Sequence, residues 1–293
     1  MRLIKEFNDY KIIDMASGMK LEKWGSIKLL RPDPQIIWDK KSFPELWNDI
    51  DAVYHRSNTG GGHWEIRNKN IPEHWLVNYQ DLKLNIKLMN FKHTGLFPEQ
   101  ATNWEFLMNL IKESNRKVKV LNLFAYTGAA TVAALSAGAS VVHIDSSRGM
   151  VDWAKENVIS SGLQDKEIRY IVDDVVKFVK REIRRGNKYD VILMDPPSFG
   201  RGSKNEVWNI EKDLGNLVEL CSEILSDNPL LFLINSYSTG LSMSVMADLL
   251  KIYINSKYKG YIYNDEIGIS MENSDLVLPC GVTTMWVHKE CSF

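Results

Sequence analysis

The chain lacks the features that mark secreted, membrane-spanning and metal-binding proteins. Its three cysteines, Cys221, Cys280 and Cys291, lie at scattered spacings without a Cys-x-x-Cys pair, so neither a disulfide framework nor a zinc site is expected. There is no run of about 18 apolar residues, and the N-terminal segment has no apolar core followed by small residues. We therefore expect a cytoplasmic protein with reduced thiols, no bound metal and no membrane span.

An excess of charge of either sign is also missing. The formal net charge is −1, which argues against a protein that holds nucleic acid through bulk electrostatics. Two local clusters are nevertheless basic: residues 177–188 contain six basic residues and one acid, and residues 1–32 contain seven basic residues and four acids. The cluster at 177–188 is either a solvated helix face or a surface that contacts a polyanion.

The first 95 residues lack helical periodicity and contain short β-type runs instead. The runs are YKIIDM (10–15), SIKLL (26–30), HWEI (63–66), HWLVNY (74–79) and LKLNIKLMNF (82–91). In the last run apolar residues alternate with polar ones, and turn-forming residues interrupt the segment at 33–34 and 59–62. The pattern predicts a small antiparallel sheet, which we interpret as a β-rich subdomain over residues 1–95 that contacts substrate or acts as a lid.

From residue 96 onward, short apolar strands alternate with helical segments. FPEQATNWEFLMNLIKES begins with Pro98 at a first helical position, and five strand and helix pairs follow between residues 118 and 250. Two β runs, KGYIYNDEIGIS and VTTMWVHK, close the chain without a helix between them. This order predicts an α/β domain over residues 96–293: a Rossmann-like, mostly parallel seven-stranded sheet with a C-terminal antiparallel hairpin.

Ligands of such sheets lie across the carboxyl ends of the strands, and the first of these ends reads NLFAYTGAAT (122–131). Gly128 opens the following helix, and the two alanines after it let a ligand approach the backbone closely. A GxGxxG loop would need further glycines, and Tyr126 fills the space of a pyrophosphate, so a dinucleotide is not expected. A P-loop is excluded because GxxxxGK[ST] is absent.

Acids end the next three strands. Asp145 lies 17 residues after Gly128, Asp173 and Asp174 end the third strand, and Asp195 ends the fourth in VILMDPPSFG. An acid in the position of Asp145 accepts both hydroxyls of a ribose, although such acids also serve as helix caps. Acids at the strand ends, together with a loop that lacks a phosphate-binding motif, favour a ligand that contains ribose and adenine but no phosphate. S-adenosylmethionine is such a ligand.

These segments resemble a known family. VLNLFAYTGAATVAALSAGASVVHIDSSRGMVDWAKEN, VDDV and VILMDPPSFGRG are similar to the class I S-adenosylmethionine-dependent methyltransferases, in particular to the branch with the bacterial 23S ribosomal RNA methyltransferases. FKHTGLFPEQ (91–100) resembles the KTGFFLDQ-type segment of that branch, and LPCG (278–281) resembles the terminal hairpin of its relatives. The resemblance covers nearly all of residues 90–290 and is stronger for the cofactor than for the substrate.

The resemblance implies a set of cofactor contacts. The loop after the first strand would border the methionine part, Asp145 the ribose, and Asp174 or Asp173 the adenine amino group, while Asp195 would lie beside the transferred methyl. Phe97 and Gln100, which both precede the first helix, would close the cofactor pocket. The candidate cofactor-binding residues are Phe97, Gln100, Phe124, Ala125, Tyr126, Gly128, Asp145, Ser146, Asp173, Asp174 and Asp195.

The Asp-Pro-Pro segment supplies the candidate catalytic residues Asp195, Pro196 and Phe199. In related enzymes that methylate a base amine, Asn/Asp-Pro-Pro-aromatic binds the amine through the acid and a proline carbonyl, and the aromatic ring stacks on the base. Here Ser198 displaces the aromatic residue by one position, whereas a ring nitrogen such as guanine N7 would need only stacking and positioning. Carbon-5 methylation needs a cysteine nucleophile, but the corresponding segment reads Ser-Tyr-Ser at 236–238.

Three functions follow as hypotheses. The leading one is methylation of a base nitrogen in RNA, with ribosomal RNA as the expected partner. The polar loop GRGSKNEVW (200–208) is either a surface loop or a contact to RNA in which Arg201 and Lys204 meet a phosphate. The second is methylation of a small molecule or a protein side chain. The third is a non-catalytic RNA-binding or assembly module that keeps the fold, against which the acids at three successive strand ends count.

Overall fold

The computed structural model describes residues 1–4, 6–7, 9–57, 61–202, 206–238 and 240–291. The contacts between residues divide the chain into two units. The first unit comprises residues 1–2, 103–267 and 281–293, and the second comprises residues 3–102 and 268–280. Among the described residues, no helix has both the length and the apolar character needed to cross a lipid bilayer.

The strands that precede the first helix are short and lie mostly in the second unit. They are β1 (Arg2–Leu3), β2 (Tyr10–Ala16), β3 (Met19–Trp24), β4 (Ile27–Pro32), β5 (Ala52–Arg56), β6 (Gly62–Ile66), β7 (Trp75–Tyr79) and β8 (Leu82–Ile86). Strands β2 to β6 form one sheet in chain order, and β7 pairs with β8. Leu82, Leu84 and Ile86 are buried on one face of β8, as the period-two alternation predicts.

The five-stranded sheet is not wholly antiparallel, which corrects the expectation from sequence. Strands β2, β3 and β4 pair antiparallel, as do β5 and β6, but β4 and β5 run parallel, with Leu29 opposite Ala52. Residues 33–51 connect these two strands and contain a 3-10 helix, Pro44–Asn48. A connection of this length can return the chain to the same end of the sheet, which a tight hairpin turn cannot do.

Helices and strands alternate in the rest of the chain. A 3-10 turn, Pro98–Gln100, leads into α1 (Ala101–Glu113), and the elements that follow are β9 (Lys119–Leu123), α2 (Ala129–Ser136), β10 (Ser140–Asp145), α3 (Arg148–Ser160), β11 (Ile168–Val172), α4 (Val175–Arg185), β12 (Val191–Met194), β13 (Phe199–Arg201), β14 (Val207–Asn209), α5 (Ile210–Ser222), β15 (Leu231–Ser236), α6 (Met243–Leu250), a π-helical turn (Lys251–Asn255), β16 (Tyr261–Ser270) and β17 (Val277–Val287).

The main sheet has the order β1-β16-β17-β15-β12-β9-β10-β11. Strands β15, β12, β9, β10 and β11 are parallel, and β17 is antiparallel to β15, so the predicted parallel sheet with a C-terminal antiparallel hairpin is confirmed. Within the described residues the sheet has one strand more than the predicted seven, because the two-residue strand β1 joins its edge. All residues of β12 and β15 are buried, as expected for parallel strands covered on both faces.

Candidate active site

The central strand β9 lies between β10 on one side and β12 on the other. The chain order reverses at this point, and doubly wound sheets bind ligands outside the carboxyl ends of the strands at such a reversal. The described residues that follow these strand ends are Phe124 after β9, Asp145 at the end of β10 and Asp195 after β12. The topology therefore brings the predicted acids to one edge of the sheet.

The loop between β9 and α2 is held in an unusual backbone conformation. Phe124 and Tyr126 have φ values of 53° and 51°, in the left-handed region that non-glycine residues seldom adopt. The Ala125 amide between them donates to the carbonyl of Ile144 (2.9 Å), which ties the loop to the neighbouring strand. Strained backbone of this kind persists where the surrounding structure imposes it, and it is concentrated at ligand sites.

Gly128 opens α2 with a φ of 81°. A Cβ atom at this position would lie 2.8 Å from the Cβ atom of Ala154 and 3.3 Å from Cε1 of His143. Helix α3, which contains Ala154, therefore packs directly against the Gly128 backbone. Glycine is required here both by the backbone angle and by this close approach.

Asp145 is fixed by two backbone amides. Its Oδ2 accepts from the Tyr126 amide (2.9 Å), and its Oδ1 accepts from the Ser147 amide (2.8 Å). Burial raises the pKa of the carboxyl group, and the two hydrogen bonds oppose this shift. Each carboxylate oxygen has a second lone pair, so the group can still accept from ribose hydroxyls. Ser146 is exposed beside it, and its contact with the cofactor remains a prediction.

Asp173 and Asp174 both have partners within the protein. Asp174 is the N-cap of α4, and its Oδ1 accepts from the Lys177 amide (2.9 Å). Asp173 accepts from the Asp174 amide (2.8 Å) and forms an ion pair with Arg181. These contacts position the acids at the end of β11, and the predicted bond from either acid to an adenine amino group stays a prediction.

Asp195 has a partner that the sequence does not reveal. Asn235 Nδ2 donates to Asp195 Oδ1 (3.1 Å), and the Asn235 side chain is fully buried. The two residues are adjacent because β12 pairs with β15 in a register that sets Met194 opposite Ile234. The one signal in the sequence is a polar residue inside the apolar run LLFLINS, and that signal does not identify its partner.

The segment after Asp195 forms a ribbon rather than the expected polar loop. Strands β13 and β14 pair antiparallel, with Phe199 opposite Asn209. The Trp208 indole donates to the Pro197 carbonyl (2.7 Å), and its ring lies 4.9 Å from that of Phe124, centroid to centroid. Trp208 thus connects the Asp-Pro-Pro segment to the loop between β9 and α2, a role that sequence reasoning missed.

The predicted catalytic and phosphate-binding residues around the ribbon differ in their exposure to solvent. Pro196 is buried, whereas 57% of the Phe199 side chain is exposed, as stacking on a base would require. Arg201 is also exposed, and Lys204 lies outside the described residues. The hydroxyls of Ser198 and Ser238 are 2.6 Å apart, so the inserted serine pins the segment after β12 to the segment after β15.

The basic cluster at residues 177–188 is largely occupied by intramolecular contacts. Lys177 pairs with Glu206 (2.5 Å), and Arg185 pairs with Glu182 (3.0 Å). Lys188 donates to a main-chain carbonyl, and Arg181 holds an acid at the end of β11. These contacts favour the interpretation of the cluster as a helix face over that of a dedicated polyanion surface.

Phe97 and Gln100 belong to the second unit. Phe97 precedes the 3-10 turn Pro98–Gln100, and its ring lies 5.3 Å from that of His93, centroid to centroid. The Gln100 amide donates to the Phe97 carbonyl (3.1 Å). Their predicted contact with the cofactor remains a prediction.

None of the three cysteines occupies the position of a carbon-5 nucleophile. Cys221 is buried inside α5, Cys280 lies on β17, and Cys291 follows that strand. Burial raises the pKa of all three thiols, which disfavours the reactive thiolate. Among the residues that the structure describes, no group of three or more His, Cys, Asp or Glu side chains is arranged to hold a metal ion.

Comparison with known proteins places the chain in a family. A family model described as S-adenosylmethionine-dependent methyltransferase matches residues 52–246. The ribosomal RNA large subunit methyltransferase K/L of Syntrophotalea carbinolica is 30% identical over 188 residues, which cover 64% of this chain and 24% of that protein. The chain therefore spans about a quarter of the length of this relative.

Two solved structures resemble the whole chain. The SAM-dependent methyltransferase from Agrobacterium tumefaciens is 35% identical with a TM-score of 0.93, and the match covers 98% of this chain and 92% of that one. SMU.776 in complex with SAH is 22% identical with a TM-score of 0.73, over 97% and 76% of the two chains. The second likeness shows the fold alone.

Proposed function

The chain belongs to the S-adenosylmethionine-dependent methyltransferase family, and we propose that it methylates a base nitrogen of ribosomal RNA. S-adenosylmethionine is its cofactor, and the strand ends of the first unit are the proposed site. The similarity to ribosomal RNA large subunit methyltransferases K/L supports RNA as the substrate class. The observation on which the choice of a nitrogen acceptor depends is that the Asp195 carboxylate is held by a hydrogen bond from Asn235 and is followed four residues later by an exposed aromatic ring, Phe199.

The residues present fit the cofactor. Asp145 is a partly buried carboxylate at the end of β10 whose raised pKa reflects its desolvated position. The backbone of the β9 to α2 loop curves past it, and Tyr126 donates its amide to the same carboxylate. We propose that Asp145 holds the ribose hydroxyls, that residues 124–128 border the methionine part, and that Asp174 accepts from the adenine amino group.

S-adenosylmethionine, when bound, would supply an electrophilic methyl group for transfer to an acceptor nitrogen, and the electron pair of the broken carbon–sulfur bond would stay on sulfur. The protein then has to position the nitrogen and exclude water. In our proposal Asp195 accepts a hydrogen bond from the base and Phe199 stacks on its face. A ring nitrogen with a lone pair needs no general base, so Asp195 and Phe199 would have only to orient the base.

Asp195→Ala tests this assignment. We expect the variant to lose methyl transfer while its affinity for S-adenosylmethionine stays within about tenfold of wild type, because the role of Asp195 is at the reacting centre. Asp145→Ala is the matched variant on the cofactor side and should weaken cofactor binding. Calorimetry measures binding, and transfer of labelled methyl to large-subunit RNA from a strain lacking the gene measures activity.

Nucleoside mass spectrometry of that RNA identifies the acceptor. A methylated base that is missing in the deletion strain and restored by the wild-type protein supports the proposal. If no nucleoside differs between the strains while the protein binds the cofactor, the proposal is wrong in its substrate, and methylation of a small molecule or a protein side chain takes its place. Cofactor affinity that is unchanged in Asp145→Ala would contradict the proposed binding site.

A further inference from the structure

A line of hydrogen bonds lies behind Asp195 in the first unit. Asn235 donates to Asp195 Oδ1 (3.1 Å), and the Thr283 hydroxyl donates to Asn235 Oδ1 (2.8 Å). Asn103 Nδ2 donates to Thr283 Oγ1 (2.9 Å), and the guanidinium of Arg2 donates to Asn103 Oδ1 (2.7 Å). We call this set of four bonds the Arg2–Asp195 relay. Its members come from β1, α1, β17, β15 and the end of β12.

All four hydrogen bonds of the relay run in the same donor-to-acceptor direction, from Arg2 toward Asp195. A guanidinium group contains donors and no acceptor, so Asn103 must turn its oxygen toward Arg2 and its NH2 group toward Thr283. The hydroxyl of Thr283 accepts that bond and uses its own hydrogen to reach the oxygen of Asn235. The NH2 group of Asn235 then faces Asp195, and an ionised carboxylate can only accept. Both ends of the relay therefore impose the same orientation on the amides between them.

The middle of the relay is inaccessible to water. Asn235 and Thr283 are fully buried, and only 5% of the Asn103 side chain is exposed. A reversed amide in this setting would set two acceptors or two donors against each other, and water could not replace the lost bond. The orientation of Asn235 is consequently determined by residues that lie beyond the proposed substrate contacts.

We infer that Asn235, Thr283, Asn103 and Arg2 are positioning residues that hold the Asp195 carboxylate in a single orientation for methyl transfer. Their proposed effect on catalysis rests on the proposed function, because it requires Asp195 to contact the acceptor base. Their effect on the orientation of the Asp195 side chain does not depend on the proposed function. The two effects are separable by experiment.

Thr283 offers a matched pair of variants. Thr283→Val keeps the shape of the side chain and removes the hydroxyl, whereas Thr283→Ser keeps the hydroxyl. We expect Thr283→Val to lower kcat about 10- to 100-fold, as small misplacements at a reacting centre do, with cofactor affinity and KM for RNA unchanged. Thr283→Ser should restore most of the rate. A merely structural role for Thr283 would not separate kcat from KM in this way.

Arg2 provides a second test at a site that is less buried. Arg2→Met removes the donor that orients Asn103, while Asp195 still orients Asn235, so kcat should fall by a smaller factor than in Thr283→Val. Arg2→Lys retains a pure donor and should preserve more of the rate than Arg2→Met. This pair keeps the inference testable if Thr283→Val does not fold.

Crystal structures of the wild type and of the Thr283 and Arg2 variants provide a readout that does not depend on activity. The relay predicts that the Asp195 side chain rotates or becomes disordered in Thr283→Val, does so to a smaller extent in Arg2→Met, and keeps its wild-type orientation in Thr283→Ser. An unchanged Asp195 in both disruptive variants, or wild-type kcat in both, overturns the inference. If the wild type transfers no methyl to RNA, the proposed function fails, and the orientation of Asp195 alone decides whether the relay exists.

Discussion

At the scale of single residues, two glycines flank helix α2 and differ in their surroundings. Gly128 precedes the helix and Gly138 follows it, with φ values of 81° and 95°. A Cβ atom at Gly128 would lie 2.8 Å from that of Ala154, whereas nothing lies within 4 Å of one at Gly138. The two positions thus share a backbone requirement, and Gly128 alone adds a packing requirement.

Gly128→Ala is therefore expected to cost more than Gly138→Ala. The left-handed backbone alone costs a non-glycine residue about 1 to 2 kcal/mol, and overpacking adds about 1 to 3 kcal/mol at Gly128. Because residue 128 ends the proposed cofactor loop, Gly128→Ala should also weaken cofactor binding, while Gly138→Ala should not. Thermal unfolding and calorimetry measure the two effects, and equal losses in both variants would contradict the packing argument.

The position of the acids at strand ends was predictable from the sequence, whereas their hydrogen-bond partners were not. Asp145 and Asp195 stand at the ends of apolar runs, so their place at a sheet edge follows from the strand pattern. Asn235 becomes the neighbour of Asp195 through the pairing of β15 with β12, which is a tertiary event. Trp208 likewise reaches the Pro197 carbonyl only because a ribbon folds back between them.

At the scale of elements, the cap of α4 combines a structural and a proposed binding role. Asp174→Ala removes the side-chain acceptor of the Lys177 amide and should destabilise the protein by about 1 kcal/mol. Asp174→Asn retains a good N-cap, so its stability should remain near that of the wild type. The same variant turns an NH2 group toward the proposed adenine and should weaken cofactor binding about tenfold.

Denaturant unfolding and calorimetry on this pair separate the two roles. If Asp174→Asn binds the cofactor with wild-type affinity, the adenine contact has to be assigned to Asp173 instead. Asp173→Asn is the corresponding variant at that position, and it also weakens the ion pair with Arg181. Loss of stability in Asp174→Asn equal to that in Asp174→Ala would contradict the assignment of the cap.

The sequence pattern predicts the longer strands and the helices, but it does not predict the shortest strands. Buried parallel strands such as β12 and β15 are continuous apolar runs bounded by turn residues, and the amphipathic helices between them have a clear period. Strands β1, β13 and β14 contain only two or three residues, too few to show any period. The parallel pairing of β4 with β5 was missed because pairing direction depends on the path of a long connection and not on the strands themselves.

At the scale of the whole molecule, buried titratable groups make the fold sensitive to acid. Burial lowers the pKa of His143 to about 3, and burial together with nearby cations, chiefly Arg31, lowers that of His93 to about 4. The unfolded chain binds a proton at each histidine near pH 6.5, while the folded protein does not. Stability should therefore fall as the pH is lowered from 6.5 toward 4.

A buried ion pair extends this dependence to lower pH. Glu22 is fully buried, accepts from Arg31 (2.5 Å and 2.8 Å) and from the Tyr10 hydroxyl (2.7 Å), and its pKa is about 2, because these partners overcome the effect of burial. The stability that this lowered pKa contributes is present above the unfolded value near 4.3 and is lost as the pH falls toward 2.

Melting temperatures measured between pH 7 and pH 2 test both contributions. His143→Leu and His93→Leu should each flatten the dependence between pH 6.5 and 4, by up to about 1.4 kcal/mol per pH unit. Glu22→Gln should lower stability at neutral pH and flatten the dependence below pH 4. A wild-type melting temperature that stays constant from pH 6.5 to pH 4 would contradict the buried neutral histidines.

The second unit is assembled from two distant stretches of the chain, 3–102 and 268–280. Ile12 forms a bridge with Met271, its carbonyl accepts from the Glu272 amide (2.8 Å), and Lys11 pairs with the Glu272 side chain (2.5 Å). During synthesis, the first hundred residues leave the ribosome long before these partners exist. The second unit therefore stays incomplete until residues 268–280 have been translated, and until then strand β2 lacks the backbone partner that Met271 and Glu272 provide.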